Sequence, residues 1–362
     1  MRKNCDILPT YNEAAAQAEH RTGAADRRRE AHKIARKTKV RRMVIREEFY
    51  VNSSDKVHMI HGYRWYDPEL KIRGVLQMVH GMLEYIDRYE ELAEYMASEG
   101  YFVVGHDHLG HGESVNAPSE LGYVGEQGAV FWLRDMELIR RMAVSYAPKA
   151  PYIMLGHSMG SFLVRRYLIY HGKRVDGAVI MGTGQQPAPL IKAGLLTACF
   201  SKLGKGGRGR DRLLNLMTCE GFAKRYPDNA RTGSWMSRDP QVLIQALQDP
   251  KMNYEFSLNA YEALFRTAEE AVDPRRAARM PKELPLLVMA GEEDPVGGNG
   301  KGVRRFAAML KKIGMKRVTC IFYPKNRHEL IHDLDKERVM RDIRDWCDKI
   351  DKTCGRPAES GR

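Results

Sequence analysis

Tyr152-Ile-Met-Leu-Gly-His-Ser-Met-Gly160 carries the clearest structural signal in this chain of 362 residues. An apolar run leads into Gly-x-Ser-x-Gly centred on Ser158, and the helix-like stretch Ser161-Phe-Leu-Val-Arg-Arg-Tyr-Leu-Ile-Tyr170 follows. This order is typical of a sharp strand-to-helix turn that holds a serine Oγ clear of a sheet, with Gly156 and Gly160 avoiding Cβ clashes. The same five residues in a loop are more often a plain turn, but the strand-then-helix setting predicts that Ser158 is a nucleophile.

Two later segments supply the base and the acid that a serine needs, because its hydroxyl alone is a weak nucleophile. Leu284–Asp294 has the pattern of a buried strand that runs into an acidic turn, and the apolar Val318–Tyr323 is followed closely by His328. Side chains just beyond the carboxyl ends of strands gather at one edge of an open α/β sheet. We therefore predict a catalytic triad of Ser158, Asp294 and His328, in the chain order of α/β-hydrolases.

A third segment predicts an oxyanion hole. The apolar run Val75–Val79 ends in His80-Gly81, and backbone N–H groups after such a strand can meet a developing negative charge, together with the N–H that follows the nucleophile. We assign these two donors to Met82 and Met159. Taken alone, His80-Gly81 is better interpreted as a turn that ends a strand, with a structural histidine, but its position in the chain relative to Ser158 favours the oxyanion hole.

These motifs resemble those of the α/β-hydrolase superfamily, within it the monoacylglycerol lipase and lysophospholipase-like branch that is also grouped with serine aminopeptidases. The resemblance spans about residues 46–350 and rests on His80-Gly81-Met82-x-Glu84, Asp107-His-x-Gly110-His-Gly112-x-Ser114, Gly156-His-Ser-Met-Gly160, Gly291-x-x-Asp294-Pro-Val296 and Arg327-His328-Glu329. Many relatives carry His where this chain has Tyr85 and Arg where it has Leu109. The resemblance implies an α/β fold, with a mostly parallel central sheet covered by helices on both faces and an inserted helical cap.

The pattern of the chain predicts where these parts lie. About a hundred residues separate Gly184 from Leu284, whereas a connection between parallel strands needs only a dozen or more. We predict a basic N-terminal extension at 1–43, hydrolase core at 44–184, a cap at 185–283, further core at 284–352 and a tail at 353–362. Within the core, we expect strands at about 46–53, 57–66, 75–80, 102–106 and 177–181, and helices at about 87–98, 129–146, 300–314 and 333–349.

Positive charge is concentrated near the N-terminus. Residues 27–42 hold nine Lys or Arg against one Glu, so this run carries +8 of the formal net charge of +13. Such runs are commonly solvated tails, and some bind anionic membrane surfaces or nucleic acid. No aromatic residues interleave these charges for base stacking, which argues against nucleic acid.

The composition also bounds the cellular setting. No stretch approaches the roughly 18–20 apolar residues of a membrane span, and Met1-Arg-Lys-Asn-Cys-Asp lacks the apolar centre of a signal peptide. We expect a cytoplasmic enzyme, with peripheral contact to lipid through its basic run or its cap. The six cysteines show neither the pairing of a zinc site nor the density of a disulfide scaffold, which predicts reduced thiols.

Neither a metal nor a cofactor is expected. His106, Asp107, His108 and His111 match a structural loop of the superfamily. Gly297-Gly-Asn-Gly-Lys-Gly302 resembles a phosphate-binding loop, but Pro295 stands at the first glycine position and Gly302 where a hydroxyl is needed.

The resulting functional hypothesis is a cofactor-independent serine hydrolase that cleaves small-molecule carboxylic esters of acyl chains through an acyl-enzyme. The resemblance implies monoacylglycerol or lysophospholipid as the substrate class. One alternative is a serine aminopeptidase, which needs an anionic site for the substrate amine, with candidates at Glu220, Glu255 or Glu262. A second is a non-catalytic, lipid-binding hydrolase fold, against which the intact triad argues. The oligomeric state is left open.

Overall fold

A single sheet of eight strands organises the described part of the chain, residues 43–223, 226 and 234–350 of the computed structural model. The strands are β1 (Ile45–Asn52), β2 (Met59–Tyr66), β3 (Gly74–Val79), β4 (Tyr101–His106), β5 (Tyr152–His157), β6 (Gly177–Met181), β7 (Leu286–Gly291) and β8 (Val318–Tyr323). Their order across the sheet is β1-β2-β4-β3-β5-β6-β7-β8. The expected N-terminal extension, apart from Met43, and the expected tail at 353–362 lie outside the described residues.

The direction of each strand agrees with the burial pattern along it. The pairs β1–β2 and β2–β4 are antiparallel, and every other pair is parallel. β3, β5, β6 and β7 are buried along their whole length, as expected for parallel strands that helices cover on both faces. β1 instead alternates between exposed and half-buried residues, which is typical of an edge strand with one solvated face.

Helices flank the sheet, and the longer ones alternate with the parallel strands. They are α1 (Glu90–Ser98), α2 (Gly128–Tyr146), α3 (Met159–His171), α4 (Ala188–Lys205), α5 (Arg212–Asn215), α6 (Gly221–Ala223), α7 (Pro240–Gln248), α8 (Leu258–Val272), α9 (Pro274–Ala277), α10 (Lys301–Lys312) and α11 (Lys336–Cys347). Single 3₁₀ turns occur at Ile86–Tyr89, Pro118–Glu120, Gly172–Arg174 and Leu330–His332, and a π-helical turn occurs at Leu216–Glu220. The predicted α/β architecture is confirmed.

The sheet separates two apolar clusters, because successive side chains of a strand point to opposite faces. On β5, Met154 belongs to the cluster that α2, α3 and α10 cover. The next residue, Leu155, belongs to the cluster that α1 and α11 cover. Burial of both faces fixes the register of the central strands, since a shift by one residue would exchange the two sets of side chains.

Strand order brings the predicted functional segments to one edge of the sheet. β3 and β5 are neighbours, and Val79 pairs with Gly156 near their carboxyl ends. The chain segments that follow these two strands, which contain Met82 and Ser158, therefore leave the sheet side by side. β7 and β8 are also neighbours, and Asp294 and His328 follow them. The crevice beyond the carboxyl ends of such strands is where open α/β sheets bind ligands.

The long connection between β6 and β7 holds helices α4 to α9. α8 packs against α4, α3 and α2, and its N-terminus is capped by Ser257, whose side chain accepts a hydrogen bond from the Ala260 N–H. Gly194 lets α4 approach closely, because a Cβ there would lie 2.5 Å from the ring of Phe265. Within the described residues, no helix is both long enough and apolar enough to cross a bilayer.

Candidate active site

The turn between β5 and α3 has the strained geometry that the sequence predicted. Ser158 has φ 51° and ψ −120°, a conformation that costs energy for a residue with a side chain. A Cβ on Gly156 would lie 2.4 Å from the Gly160 carbonyl oxygen, and one on Gly160 would lie 2.1 Å from that of Val79. Both glycines are therefore required for the turn, which leaves Ser158 half-buried at the start of α3.

The other two predicted triad residues meet directly. The distance from His328 Nδ1 to Asp294 Oδ1 is 3.0 Å, and both side chains are buried. Asp294 Oδ1 also accepts the Val296 N–H at 2.9 Å, which fixes the carboxylate within its turn. A carboxylate can only accept at this distance, so His328 Nδ1 carries the hydrogen and Nε2 is left free to act as a base.

The loop after β3 has a defined orientation because His80 holds it. His80 Nε2 accepts the His108 backbone N–H at 2.9 Å, so His80 Nδ1 carries the hydrogen and donates it to the Gly81 carbonyl at 2.8 Å. The N–H of a trans peptide points opposite to its carbonyl. Because the Gly81 carbonyl is engaged, the Met82 N–H is directed away from His80. A Cβ on Gly81 would lie 3.0 Å from Ser158 Cβ, so this loop and the strained turn are in close contact.

A cavity of about 1390 Å³ connects these elements. Ser158, His328, Met82 and Met159 all line it. Its walls also include apolar and aromatic side chains, largely from α3 and from the β6–β7 connection, among them Phe162, Ile191, Leu216, Phe222, Leu264 and Phe265. The ring of Trp235 lies against His328 with a centroid distance of 5.1 Å. The arrangement therefore combines the predicted nucleophile and the predicted base with a large apolar binding space.

A buried ionic network lies beside the predicted triad. Arg88 donates to Glu84 Oε2 at 2.9 Å and makes a two-point contact with Glu329 at 3.2 and 2.8 Å. Glu84 Oε1 accepts from Tyr89 Oη at 2.9 Å and from His157 Nδ1 at 3.0 Å. Although burial alone would raise the pKa of Glu84, the His157 and Arg88 charges lower it to about 2. The network connects the loop after β3 with the loop that carries His328.

Sequence reasoning assigned no role to this network, although two of its members were visible. Glu84 and Glu329 stand in the motifs that carried the resemblance, three residues after Gly81 and one after His328. Arg88 and Glu329 are 241 residues apart in the chain, so their pairing has no local signature. Trp235 was also missed, because it belongs to an irregular stretch of the β6–β7 connection.

The histidine-rich segment that begins at the end of β4 is buried. Burial lowers the pKa of His106 and of His111 to about 3 in each case, so both rings are neutral. Within the described part of the chain, the ring nitrogens of His106 and His108 have no hydrogen-bond partner. No group of three or more His, Cys, Asp or Glu residues in the described part of the chain has the geometry to hold a metal ion. Among the described side chains, Cys199, Cys320 and Cys347 are free thiols.

Comparison with known proteins places the chain in a family. The profile of the family described as "Serine aminopeptidase, S33" matches residues 71–335. Among curated relatives, the monoacylglycerol lipase of Mycolicibacterium smegmatis is 26% identical over 288 residues, which cover 78% of this chain and 91% of that protein. A Haemophilus influenzae protein named "Probable lysophospholipase L2" is 24% identical, over 76% of this chain and 83% of its own.

A solved structure supports the same assignment. The thermostable carboxyl esterase of Bacillus coagulans, solved in complex with glycerol, superposes with a TM-score of 0.78 and is 27% identical, over 84% of this chain and 98% of its own. Because the family profile spans most of the chain and the architecture agrees, this protein belongs to the serine aminopeptidase S33 family and has the α/β-hydrolase fold.

Proposed function

We propose that this protein hydrolyses carboxylic esters of acyl chains, with Ser158 as nucleophile, His328 as general base and Asp294 as the residue that orients the base. The protein is a serine ester hydrolase: its relatives are named lipase and lysophospholipase, and a solved structural neighbour is a carboxyl esterase. The observation that carries the residue assignment is the cavity, in which Ser158 on its strained turn and the Asp294-bound His328 line one apolar space.

The proposed reaction has two halves. His328 Nε2 takes the proton from Ser158 Oγ as this oxygen attacks the ester carbonyl, and the Met82 and Met159 N–H groups stabilise the oxyanion. The tetrahedral intermediate collapses, the ester C–O bond breaks, and the imidazolium returns its proton to the leaving alcohol. Water then attacks the acyl-enzyme with the same base, which releases the carboxylic acid and regenerates Ser158. Asp294 keeps the hydrogen of His328 on Nδ1 throughout and stabilises the charged ring.

The proposed substrate is an acyl glycerol ester, either a monoacylglycerol or a lysophospholipid. The extent of the apolar walls supports a long acyl chain, since each buried methylene contributes about 0.8 kcal/mol to binding. The names of the two curated relatives support a glycerol-based alcohol. The aminopeptidase alternative has less support, because the two curated relatives are named lipase and lysophospholipase. Among its candidate anionic residues, Glu262 is paired with Lys202 and Arg266. The side chain of Glu220 lies outside the described ones, and Glu255 lines the cavity.

The β6–β7 connection, residues 185–283, is proposed to act as a cap over this site and to contact lipid surfaces. On α4, Leu196, Phe200 and Leu203 are exposed and recur at helical spacing, so they form one apolar stripe. Lys192, also exposed, adds positive charge to the same helix. An amphipathic helix with basic residues beside an apolar stripe is suited to the surface of an anionic membrane. We propose the remaining domain boundaries as they were predicted from the sequence.

The assignment is tested by replacing Ser158 with alanine. We expect Ser158→Ala to lower kcat for a monoacylglycerol by three or more orders of magnitude and to abolish labelling by a fluorophosphonate probe, because triad members act as a unit. Ser145→Ala, at an exposed position near the end of α2, is the matched control and should retain both activities. Near-normal turnover by folded Ser158→Ala protein would contradict the assignment, and an unlabelled wild-type protein would favour a non-catalytic role.

A further inference from the structure

One corner of the cavity differs chemically from its apolar walls. It is formed by Gln186, by the loop Pro295–Gly298 after β7, and by Gly302 and Arg305 of α10. The Gln186 side-chain amide donates from Nε2 to the Val296 carbonyl at 2.7 Å, so this side chain is fixed against the loop. Of the three glycines in this corner, Gly298 leaves open space, since a Cβ there would meet no atom nearer than 3.7 Å, whereas Gly297 and Gly302 are closely packed. The cavity therefore has a polar end suited to the head group of an acyl ester.

Arg305 is the charged group of this corner. It is exposed, and among the described residues its guanidinium donates one hydrogen bond, from Nη2 to the Gln185 carbonyl at 3.4 Å. No carboxylate of the described residues lies within ion-pair distance of it. The other charged side chains of the lining are three carboxylates and His157, which is paired with Glu84. Glu84 and Glu329 are buried and paired with Arg88, and Glu255 belongs to the connection before α8. Arg305 is thus a cation at the cavity without a countercharge in the described part of the protein.

The glycine-rich stretch that failed the spacing of a phosphate-binding loop lies beside Arg305. Its backbone N–H groups are largely used within the turn: Gly298 donates to Pro295, Asn299 to Asp294, and Gly302 to Gly297 at 2.7 Å. These N–H groups are therefore not available to surround a phosphate in the way that the backbone N–H groups of a phosphate-binding loop do. Recognition of an anion in this corner depends on Arg305, whose planar guanidinium can bind two phosphate oxygens at once.

We propose that Arg305 forms a subsite for the phosphate of an acyl glycerol phosphate ester, and that it makes the enzyme discriminate between anionic lysophospholipids and neutral monoacylglycerols. The proposal rests on the function proposed above and adds the residue that selects the head group. A phosphate at Arg305 supplies the missing countercharge, and the apolar walls hold the acyl chain. A neutral glycerol head group gains no comparable interaction there.

The test compares two esters with the same acyl chain, 1-acylglycerol and 1-acylglycerol 3-phosphate, each below its aggregation concentration and at constant ionic strength. We expect Arg305→Gln to lower kcat/KM for the phosphate ester about tenfold or more, because a charge-assisted hydrogen bond is lost. The same substitution should change kcat/KM for 1-acylglycerol less than twofold. Arg304→Gln is the matched control: Arg304 pairs with Glu292 at 2.9 Å and stacks on Phe322, and it does not line the cavity. It should leave both values unchanged.

Equal effects of Arg305→Gln on the two esters, or equal effects of Arg304→Gln and Arg305→Gln on the phosphate ester, would overturn the proposal. Binding provides a readout that does not depend on turnover. Because Trp235 lines the cavity, the phosphate ester should change the intrinsic tryptophan fluorescence of Ser158→Ala protein, with a dissociation constant that Arg305→Gln raises about tenfold. Saturation of the same signal by inorganic phosphate alone would assign the corner to free phosphate and overturn the lipid subsite. If the wild-type protein bound the phosphate ester through Arg305 but did not hydrolyse it, the proposed function would be contradicted and the proposed subsite would stand.

Discussion

His157 donates hydrogen bonds from both ring nitrogens, from Nε2 to the backbone carbonyl of His328 at 3.2 Å and from Nδ1 to Glu84 Oε1 at 3.0 Å. A carbonyl and a carboxylate can only accept, so both bonds together require a doubly protonated ring. Burial alone would lower the pKa of His157, but the Glu84 charge raises it above its usual value. The residue before the proposed nucleophile therefore anchors the backbone of the proposed base by means of a buried ion pair.

The first prediction concerns this ion pair. His157→Gln keeps one donor but removes the positive charge, and we expect it to lower kcat about 10- to 100-fold with little change in KM, because His328 loses a fixed position. It should also lower the free energy of unfolding by about 3 kcal/mol, since a buried carboxylate loses a partner. The measurements are steady-state kinetics and urea unfolding of the variant and the wild type.

The pH dependence of that loss has a definite sign. A raised folded-state pKa on His157 gives stabilisation that is fully present below its unfolded value, about 6.5, and declines as the pH rises through the folded value. The destabilisation by His157→Gln should therefore be larger at pH 6 than at pH 9. A loss that does not vary between these pH values would contradict a charged His157. Glu84→Gln serves as the companion variant, and the double variant should lose less than the sum of the two single losses.

The second prediction concerns acid stability. Burial lowers the pKa of His106 to about 3, so the folded protein excludes a proton that the unfolded chain binds below about pH 6.5. Stability is thus lost as the pH falls from about 6.5 towards 3, by about 1.4 kcal/mol per pH unit for each such histidine. Neither ring nitrogen of His106 has a hydrogen-bond partner among the described residues, so His106→Leu removes the titration without breaking a hydrogen bond of the described structure. Urea unfolding between pH 7 and 4 should give a shallower acid slope for the variant, and parallel slopes would contradict the prediction.

The third prediction separates two neighbouring acids. Asp294 is buried against His328, whereas Glu293 is partly exposed and lies 3.9 Å from Arg327. Asp294→Asn should lower kcat by about three to four orders of magnitude, because an amide no longer enforces the His328 tautomer. Glu293→Gln should lower it less than threefold. The reverse pattern in ester turnover would identify Glu293 as the functional acid.

The parts predicted well from the sequence are those with local signals. Apolar runs between turn residues located the central strands to within one or two residues, and the glycines around Ser158 specified the strained turn. Two helix starts were displaced, because a 3₁₀ turn precedes each helix. The predicted helix at 87–98 begins as the turn Ile86–Tyr89, and that at 333–349 begins only at Lys336, after the turn Leu330–His332.

The parts that could not be predicted depend on long-range contacts. Tyr85, a position where the chain departs from many relatives, donates to Asp249 Oδ2 at 2.7 Å across 164 residues. Arg88 and Glu329 pair across an even longer stretch. Partners of this kind depend on how loops from separate strands meet, and neither periodicity nor motif spacing reports that. The charge and the apolar pattern of the sequence predict that such a residue lies near the site, but only the folded structure identifies its partner.

The last prediction distinguishes two routes to a lipid surface. Phe200 and Leu203 on α4 are 69% and 84% exposed, whereas the basic run at 27–42 lies outside the described residues. Deleting residues 1–42 removes no described strand or helix, so turnover of a short-chain ester should change less than twofold. If the basic run drives binding, the truncation should weaken sedimentation with anionic vesicles, by about 1 kcal/mol for each basic residue at the surface, and added salt should do the same.

If the apolar stripe drives binding instead, Phe200→Ser with Leu203→Ser should weaken it at both low and high salt. Burial of two such side chains contributes about 1.5–3 kcal/mol each, so even partial insertion gives a loss of about tenfold or more. Leu334→Ser is the matched control, since Leu334 is 63% exposed in the loop before α11 and lies outside the β6–β7 connection. We expect both routes to contribute to binding of vesicles that contain anionic lipid. For neutral vesicles, we expect the α4 variant to weaken binding and the truncation to leave it unchanged. Unchanged sedimentation of the truncated α4 variant would exclude both surfaces as lipid contacts.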